Sequence, residues 1–266
     1  MKKAQPSEFV YQVVSLVLVI LFVHAFYVLA VRPKADRILA ERTALMEADK
    51  DFVAKRSAWV IIRDFEQEAC FALMFWAFAI MAYKSYGAGR QRRLVQEELV
   101  PLGEGTKILP EDAREYARQI QSLPPADRQS LLPRALLAAL NRFTATRSIQ
   151  DVSSNAHGMC EAESERLESE LSMVRYIAWA IPSIGFIGTV RGIGEALGQA
   201  HKAVEGDIAG VTQSLGVAFN STFIALLISI VLMFLLHQLQ LQQERLVLET
   251  ETYLDQNLIQ HLQVTT

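Results

Sequence analysis

The amino-acid sequence predicts an all-α, polytopic membrane protein with four membrane-spanning helices and a helical domain outside the membrane. Three observations carry this prediction. Apolar residues make up 51% of the 266 residues, yet Asp, Glu, Lys and Arg still make up 21%. The apolar residues are concentrated in four blocks, and the charged residues lie mainly between those blocks. Such segregation is typical of a chain that crosses a bilayer several times.

The first apolar block lies at about residues 9–31 and predicts a span within residues 1–32. Its length suffices to cross a hydrocarbon core of about 30 Å at about 1.5 Å per residue. A cleaved signal peptide is the competing interpretation. The block is long for a signal peptide, however, and Arg32-Pro33-Lys34 follows it instead of a small-residue cleavage site. We therefore interpret it as a retained helix.

Residues 33–68 are charged and mixed in sign, and they predict an amphipathic helix outside the membrane. Apolar residues recur there at seven-residue intervals: Ile38, Leu45, Phe52 and Trp59. A shorter, aromatic-rich apolar block then predicts the second span, at residues 69–84. A buried helix of a soluble domain is the alternative. Aromatic residues near the ends of the block and the basic residues after it favour a span.

Residues 85–175 are the longest stretch outside the predicted spans, and their prolines divide them into short helices. Two further apolar blocks, within residues 176–236, are joined by a short linker and predict a transmembrane hairpin. A polar helical tail is predicted at residues 237–266. Four spans put both chain ends on the same side of the membrane, but basic residues follow both of the first two spans, so charge counting leaves the orientation open.

The third span carries a stripe of small residues on one face. Gly185, Gly188 and Gly192 recur at three- and four-residue spacing, which lets helix backbones approach closely. In the fourth span Ala218 and Ala225 belong to a similar stripe. These small residues predict helix packing within the hairpin. Pro182, near the start of the third span, is predicted to kink the helix or to act as a hinge.

Polar side chains inside the hairpin predict an ion pathway. Hydroxyl groups recur at helical spacing in the fourth span, and the third span has a threonine at a similar depth. The candidate pathway residues are Thr189, Asn220, Ser221, Thr222 and Ser229. The alternative is that these groups only hydrogen-bond to backbone or across helices.

Arg191 and Glu195 lie one helical turn apart inside the third span. An intramembrane charged pair is costly unless it faces protein or water, so the pair is a candidate functional position. Snorkelling of Arg191 to the interface is the alternative. We find no free carboxylate within the predicted spans, so a proton carrier is expected to come from a partner. With no nucleophile–base or metal-ligand pattern in the sequence, we expect neither an enzyme nor a cofactor.

Residues Pro182 to Ile193 resemble the Pro-x-Leu-Gly-Leu-Leu-Gly-Thr-Val-x-Gly signature of the MotA/TolQ/ExbB proton channel family, and residues 216–230 resemble that family's last span. The resemblance covers roughly residues 160–240. It implies a homopentamer around a dimer of a MotB/ExbD/TolR-like single-span protein, whose membrane aspartate carries the coupling ion, a proton or sodium. Thr189 and Thr222 would face that aspartate.

The resemblance also implies an orientation. Residues 85–175 and both termini would be cytoplasmic, residues 33–68 periplasmic, and the membrane the bacterial inner membrane. The departures from the family pattern are Val217 where TolQ/ExbB members have a glutamate, Val231 in place of a common proline, and Arg191 in place of an apolar or aromatic residue. Four spans favour a MotA-like layout, whereas Gly188-Thr189-Val190 is closer to TolQ/ExbB, so the subfamily and the output machine stay open.

Together with these features, the resemblance implies the channel-forming subunit of a rotary, stator-like motor that uses the proton motive force. With its partner it would convert ion flow into mechanical work. The alternative function is a passive membrane scaffold whose helices assemble without conducting ions. Replacing Thr189 and Thr222 by valine would distinguish the two, because valine preserves packing and removes the hydroxyls.

Overall fold

The computed structural model describes residues 5–48, 55, 57–97, 99–100 and 106–264. These residues are almost entirely helical, and no strand occurs among them, which confirms the all-α prediction. The helices are α1 Gln5–Phe26, α2 Arg32–Ala48, α3 Ala58–Ile61, α4 Phe65–Gln96, α5 Ala113–Gln121, α6 Pro125–Arg128, α7 Leu131–Thr146, α8 Ile149–Glu170, α9 Ser172–Gly198, α10 Ala200–Val204 and α11 Ala209–Asn257. A π-helical turn, Tyr27–Val31, joins α1 to α2, and a 3-10 turn, Ile259–His261, follows α11.

Four helical stretches among the described residues are long and apolar enough to cross a membrane, as predicted: Phe9–Leu45, Phe65–Gln96, Ile149–Gly198 and Ala209–His261. They are longer than the apolar blocks because each helix continues into polar sequence. Helix α4 begins at Phe65, before the predicted start of the second span at residue 69. Helix α11 continues unbroken through most of the predicted polar tail, and α8 and α9 are separated only by Leu171.

The prediction of one amphipathic helix over residues 33–68 is wrong. Helix α2 ends at Ala48, the short α3 follows, and Ile62–Asp64 are not helical; Phe52 lies outside the described residues. The reason is the packing of α4 antiparallel to α1. The Tyr11 hydroxyl donates to the Ala79 carbonyl at 3.1 Å, and Trp76 Nε1 donates to the Gln12 carbonyl at 3.0 Å. The chain has to reverse direction between the two helices, and a single straight helix cannot do so.

The chain divides into two compact units. Within the described residues, unit 1 contains residues 5–81 and 173–236 and holds the apolar parts of the candidate spans. Its outward helix faces are apolar and exposed: Leu21 of α1 is 61% exposed, Phe186 of α9 65% and Phe219 of α11 68%. Such faces are typical of helices that contact lipid or neighbouring subunits.

Unit 2 contains residues 82–172 and 237–264 of the described chain and has an aliphatic core. The core is built from α5, α7, α8 and the last part of α11, with Leu136, Leu140 and Phe143 of α7 fully buried. Helix α7 ends at Thr146 and is followed by its C-cap Arg147, whose φ of 50° is left-handed. The Ser148 hydroxyl caps α8 by accepting from the Asp151 N–H at 3.2 Å. These caps stop one helix and start the next, so α7 and α8 pack on each other.

Candidate functional site

Helices α9 and α11 pack backbone to backbone through small residues. The three glycines of the α9 stripe are buried, and a Cβ atom on Gly185 would lie only 2.4 Å from the Cβ of Ala225. At Gly192 a Cβ atom would lie 2.7 Å from the Ser214 carbonyl oxygen and 2.8 Å from Ala218 Cβ. The earlier glycine of α9 meets the later residue of α11, and the later glycine meets the earlier residues, so the two helices are antiparallel. Any side chain larger than hydrogen at these positions would force them apart.

This close approach brings two predicted pathway residues together. The hydroxyls of Thr189 and Thr222 are hydrogen-bonded to each other across the two helices. Thr189 also lies within donating distance of the carbonyls of Ala218 and Gly185, at 3.1 and 3.3 Å, and Thr222 donates to the Gly185 carbonyl at 3.0 Å. Both threonines are half-buried. The two hydroxyls share only two protons, so their oxygens keep lone pairs that can accept a hydrogen bond.

The other predicted pathway residues make different contacts. Ser221 is 1% exposed, donates to the Val217 carbonyl at 2.9 Å, and accepts from Gln67 Nε2 of α4 at 3.3 Å. Ser229 donates to the Ala178 carbonyl at 3.2 Å, and Asn220 is half-buried. The two serines thus join helices to one another in this chain. A part for these three residues in an ion pathway stays a prediction.

Pro182, the predicted hinge, explains why Ser229 donates to the Ala178 carbonyl. Pro182 lies inside α9 and has no N–H, so the carbonyl four residues earlier, that of Ala178, loses its intrahelical donor. Ser229 of α11 supplies the missing hydrogen bond. Satisfying a freed carbonyl from a neighbouring helix is how a proline is tolerated inside a membrane helix.

Arg191 is paired with a residue that the sequence analysis did not connect to it. Its guanidinium binds Glu66 of α4 with two hydrogen bonds, Nε to Oε1 at 2.7 Å and Nη2 to Oε2 at 2.9 Å. Glu195, the predicted partner, accepts a hydrogen bond from Arg191 Nη1 at 2.8 Å. Glu66 was missed because residues 65–68 were assigned to the segment outside the membrane. Acidic residues directly before an apolar block are a signal for a helix N-terminus, because the helix dipole favours them there.

Three consecutive polar residues of α4, Glu66, Gln67 and Glu68, form what we call the α4 polar turn. Successive residues of an α-helix project about 100° apart, so the three side chains point in three different directions. Their respective partners are Arg191 of α9, Ser221 of α11, and His24 of α1 together with Arg32 of α2. One turn of α4 therefore hydrogen-bonds to every other long helix of unit 1.

The end of unit 1 beside this turn is partly withdrawn from water. Asp64, just before α4, has a pKa raised by burial, although the guanidinium groups of Arg191 and Arg63 act in the opposite direction. No group of three or more His, Cys, Asp or Glu side chains in the described ranges could hold a metal ion. The site is thus a set of hydroxyls, one amide and paired charges.

Residues 127–252 match the model of the MotA/TolQ/ExbB proton channel family. The match begins at the end of α6 and runs far into α11, so it includes the glycine contacts, Pro182 and the threonine pair. It confirms the resemblance carried by Pro182 to Ile193 and by residues 216–230. A search among curated proteins found no match to the chain.

Proposed function

We propose, on the premise that residues 127–252 belong to the MotA/TolQ/ExbB proton channel family, that this chain is the channel-forming subunit of an ion-driven motor in the bacterial inner membrane. In this proposal five copies enclose two copies of a MotB/ExbD/TolR-like single-span partner. Helices α9 and α11 line the central pathway. Unit 2 and both termini are cytoplasmic, and the segment between α1 and α4 is periplasmic. Ion flow turns the pentamer about the partner.

The threonine pair is the observation that carries the proposal. A hydroxyl both donates and accepts, so the pair can accept from a protonated carboxyl and donate to a carboxylate. The carbonyls of Gly185 and Ala218 lie within helices and have intrahelical partners, so a threonine can release them without leaving a group unpaired. A group that serves both protonation states equally well suits a site where an aspartate repeatedly gains and loses a proton.

Three glutamates of unit 1 are held in ion pairs, which is consistent with a proton carrier on the partner. Glu66 and Glu195 bind Arg191, and Glu68 binds Arg32 and His24. These ion pairs fit a structural part for the three glutamates, and the proposal therefore places the proton carrier on the partner.

Ion flux through the reconstituted complex tests the proposal. We expect Thr189→Val and Thr222→Val, with the partner present in proteoliposomes, to reduce flux at least about tenfold, equivalent to about 1.4 kcal/mol of barrier. The pentamer mass should not change. The matched control is Thr250→Val, whose hydroxyl donates only within α11, to the Leu246 carbonyl at 2.8 Å. Runs with a proton gradient alone and with a sodium gradient alone identify the coupling ion.

The scaffold alternative makes the opposite prediction for the same variants. A passive scaffold needs only the packing of α9 on α11, which valine preserves. If flux is absent from the unaltered complex, or equal in the threonine variants and the Thr250→Val control, the motor proposal fails and the scaffold interpretation replaces it.

A further inference from the structure

The side-chain amide of Gln67 is buried at the junction of α4, α9 and α11. It is 0% exposed, although it belongs to a candidate span with exposed apolar faces. Its Nε2 donates to the Ile61 carbonyl at 3.1 Å and to Ser221 Oγ at 3.3 Å. Both amide hydrogens are thereby used. Its Oε1 is buried and has no hydrogen-bond partner among the residues that the structure describes.

The orientation of this amide follows from its contacts. A carbonyl can only accept, so exchanging the nitrogen and the oxygen of Gln67 would put two acceptors against each other at Ile61. The unpaired atom is therefore the carbonyl oxygen. Leaving such an acceptor buried and unpaired is unfavourable in water and more so within a bilayer. A hydrogen-bond donor at Oε1 would remove this cost.

The surroundings of Gln67 are polar enough for a donor as small as water. At Gly188 a Cβ atom would lie 2.7 Å from Ser221 Oγ and 3.1 Å from Glu66 Cγ, so the serine and the glutamate meet beside this glycine. A buried water needs roughly 2–4 polar partners. Ser221 donates once and accepts once, so its oxygen keeps one lone pair.

We propose that a water molecule is bound to Gln67 Oε1 in this junction. This site is separate from the threonine pair. Ser221 and Thr222 are adjacent in α11 and project about 100° apart, with Ser221 against Gln67 and Thr222 against Thr189. The water site does not depend on ion conduction, so it goes beyond the proposed function.

The experiment is electron cryomicroscopy of the full chain in lipid nanodiscs, at a resolution that shows ordered waters. We expect density at about 2.6–3.2 Å from Gln67 Oε1, at hydrogen-bonding distance. The density should persist when choline replaces sodium in the buffer. A map that resolves other buried waters but none here overturns the proposal. So does a donor from a neighbouring chain at Oε1, or density that requires sodium.

A second measurement combines one variant with the unaltered protein. Gln67→Leu removes the acceptor and should lose the density. Water-edited solid-state NMR of the unaltered protein should show transfer to the Gln67 side-chain amide as fast as to exposed glutamines. If magnetisation transfer from water to the Gln67 amide is as slow as transfer to an amide in a dry core, the proposal is overturned, even if Gln67→Leu does not fold.

Discussion

Units 1 and 2 are both helical, but their helices are held together by different interactions. Unit 2 buries large aliphatic side chains of α5, α7, α8 and α11 in one core, as a water-soluble domain does. In unit 1, α9 meets α11 through Gly185, Gly188 and Gly192, and hydroxyl, amide and charged groups join α4 to both. Unit 1 also buries large side chains such as Ile181 and Leu232, but many of its other large apolar side chains, such as Phe186 and Phe219, are exposed.

The difference follows from the solvent that each unit is expected to meet. In water, burying apolar surface stabilises by about 25 cal/mol per Å², so large side chains go inward. In a bilayer the lipid is as apolar as leucine, and that driving force between helices is lost. The interactions that still hold helices together there are close backbone approach and interhelical hydrogen bonds. Substitutions of the same kind should therefore have different effects in the two units.

The largest effect is expected in the core of unit 2. Leu136 is 0% exposed, and Leu136→Ala should lower the free energy of unfolding by about 2–5 kcal/mol, because it removes buried apolar contacts and leaves a cavity. The matched control is Leu248→Ala, at a leucine of the same unit that is 63% exposed. Thermal unfolding of the purified protein measures both. Similar shifts for the two variants would show that unit 2 lacks a conventional core.

In unit 1 the sensitive positions are glycines. Gly185→Ala would place a Cβ atom 2.4 Å from Ala225 Cβ and 3.1 Å from the Ser221 carbonyl oxygen, so the two helices must separate. We expect the free energy of unfolding to fall by about 1–3 kcal/mol, as it does when a packed core is overfilled. Gly194→Ala is the control, since it has open space around it and alanine favours helix by up to about 1 kcal/mol. A stable Gly185→Ala variant that behaves like Gly194→Ala would contradict the packing by small residues.

The charged contact between α4 and α9 should have a smaller effect. Arg191→Met leaves the Glu66 carboxylate, which is 12% exposed, without its cation. Exposed pairs contribute about 0.2–1 kcal/mol and breaking a buried pair costs about 3–5 kcal/mol. Arg191 is 40% exposed, so we expect Arg191→Met to lower the free energy of unfolding by about 1–2 kcal/mol, between these two cases.

A double-mutant cycle separates this pair from its surroundings. Arg191→Met with Glu66→Met removes both charges, and its unfolding temperature should recover above that of either single variant. Additive losses in the cycle would mean that the two side chains stabilise unit 1 independently of each other.

The features that could be predicted from sequence are those encoded locally. Apolar length indicated the four spans, and small-residue spacing indicated the packing face of α9. The pairing of Arg191 with Glu66 joins residues that are 125 apart in sequence and depends on how α4 packs. The error at residues 33–68 has the same origin, because a seven-residue period cannot reveal that α4 packs antiparallel to α1.

The smallest expected effect concerns Ser229, a predicted pathway residue that donates to the Ala178 carbonyl. Ser229→Ala should cost about 0.5–1.5 kcal/mol, the net contribution of one hydrogen bond, because Pro182 offers no N–H to replace the lost donor. In a Pro182→Ala background the restored N–H can bond to Ala178, so Ser229→Ala should cost little. Unfolding temperatures of the four proteins in this cycle measure the coupling. An equal cost of Ser229→Ala in both backgrounds would show that the serine does not compensate for the proline.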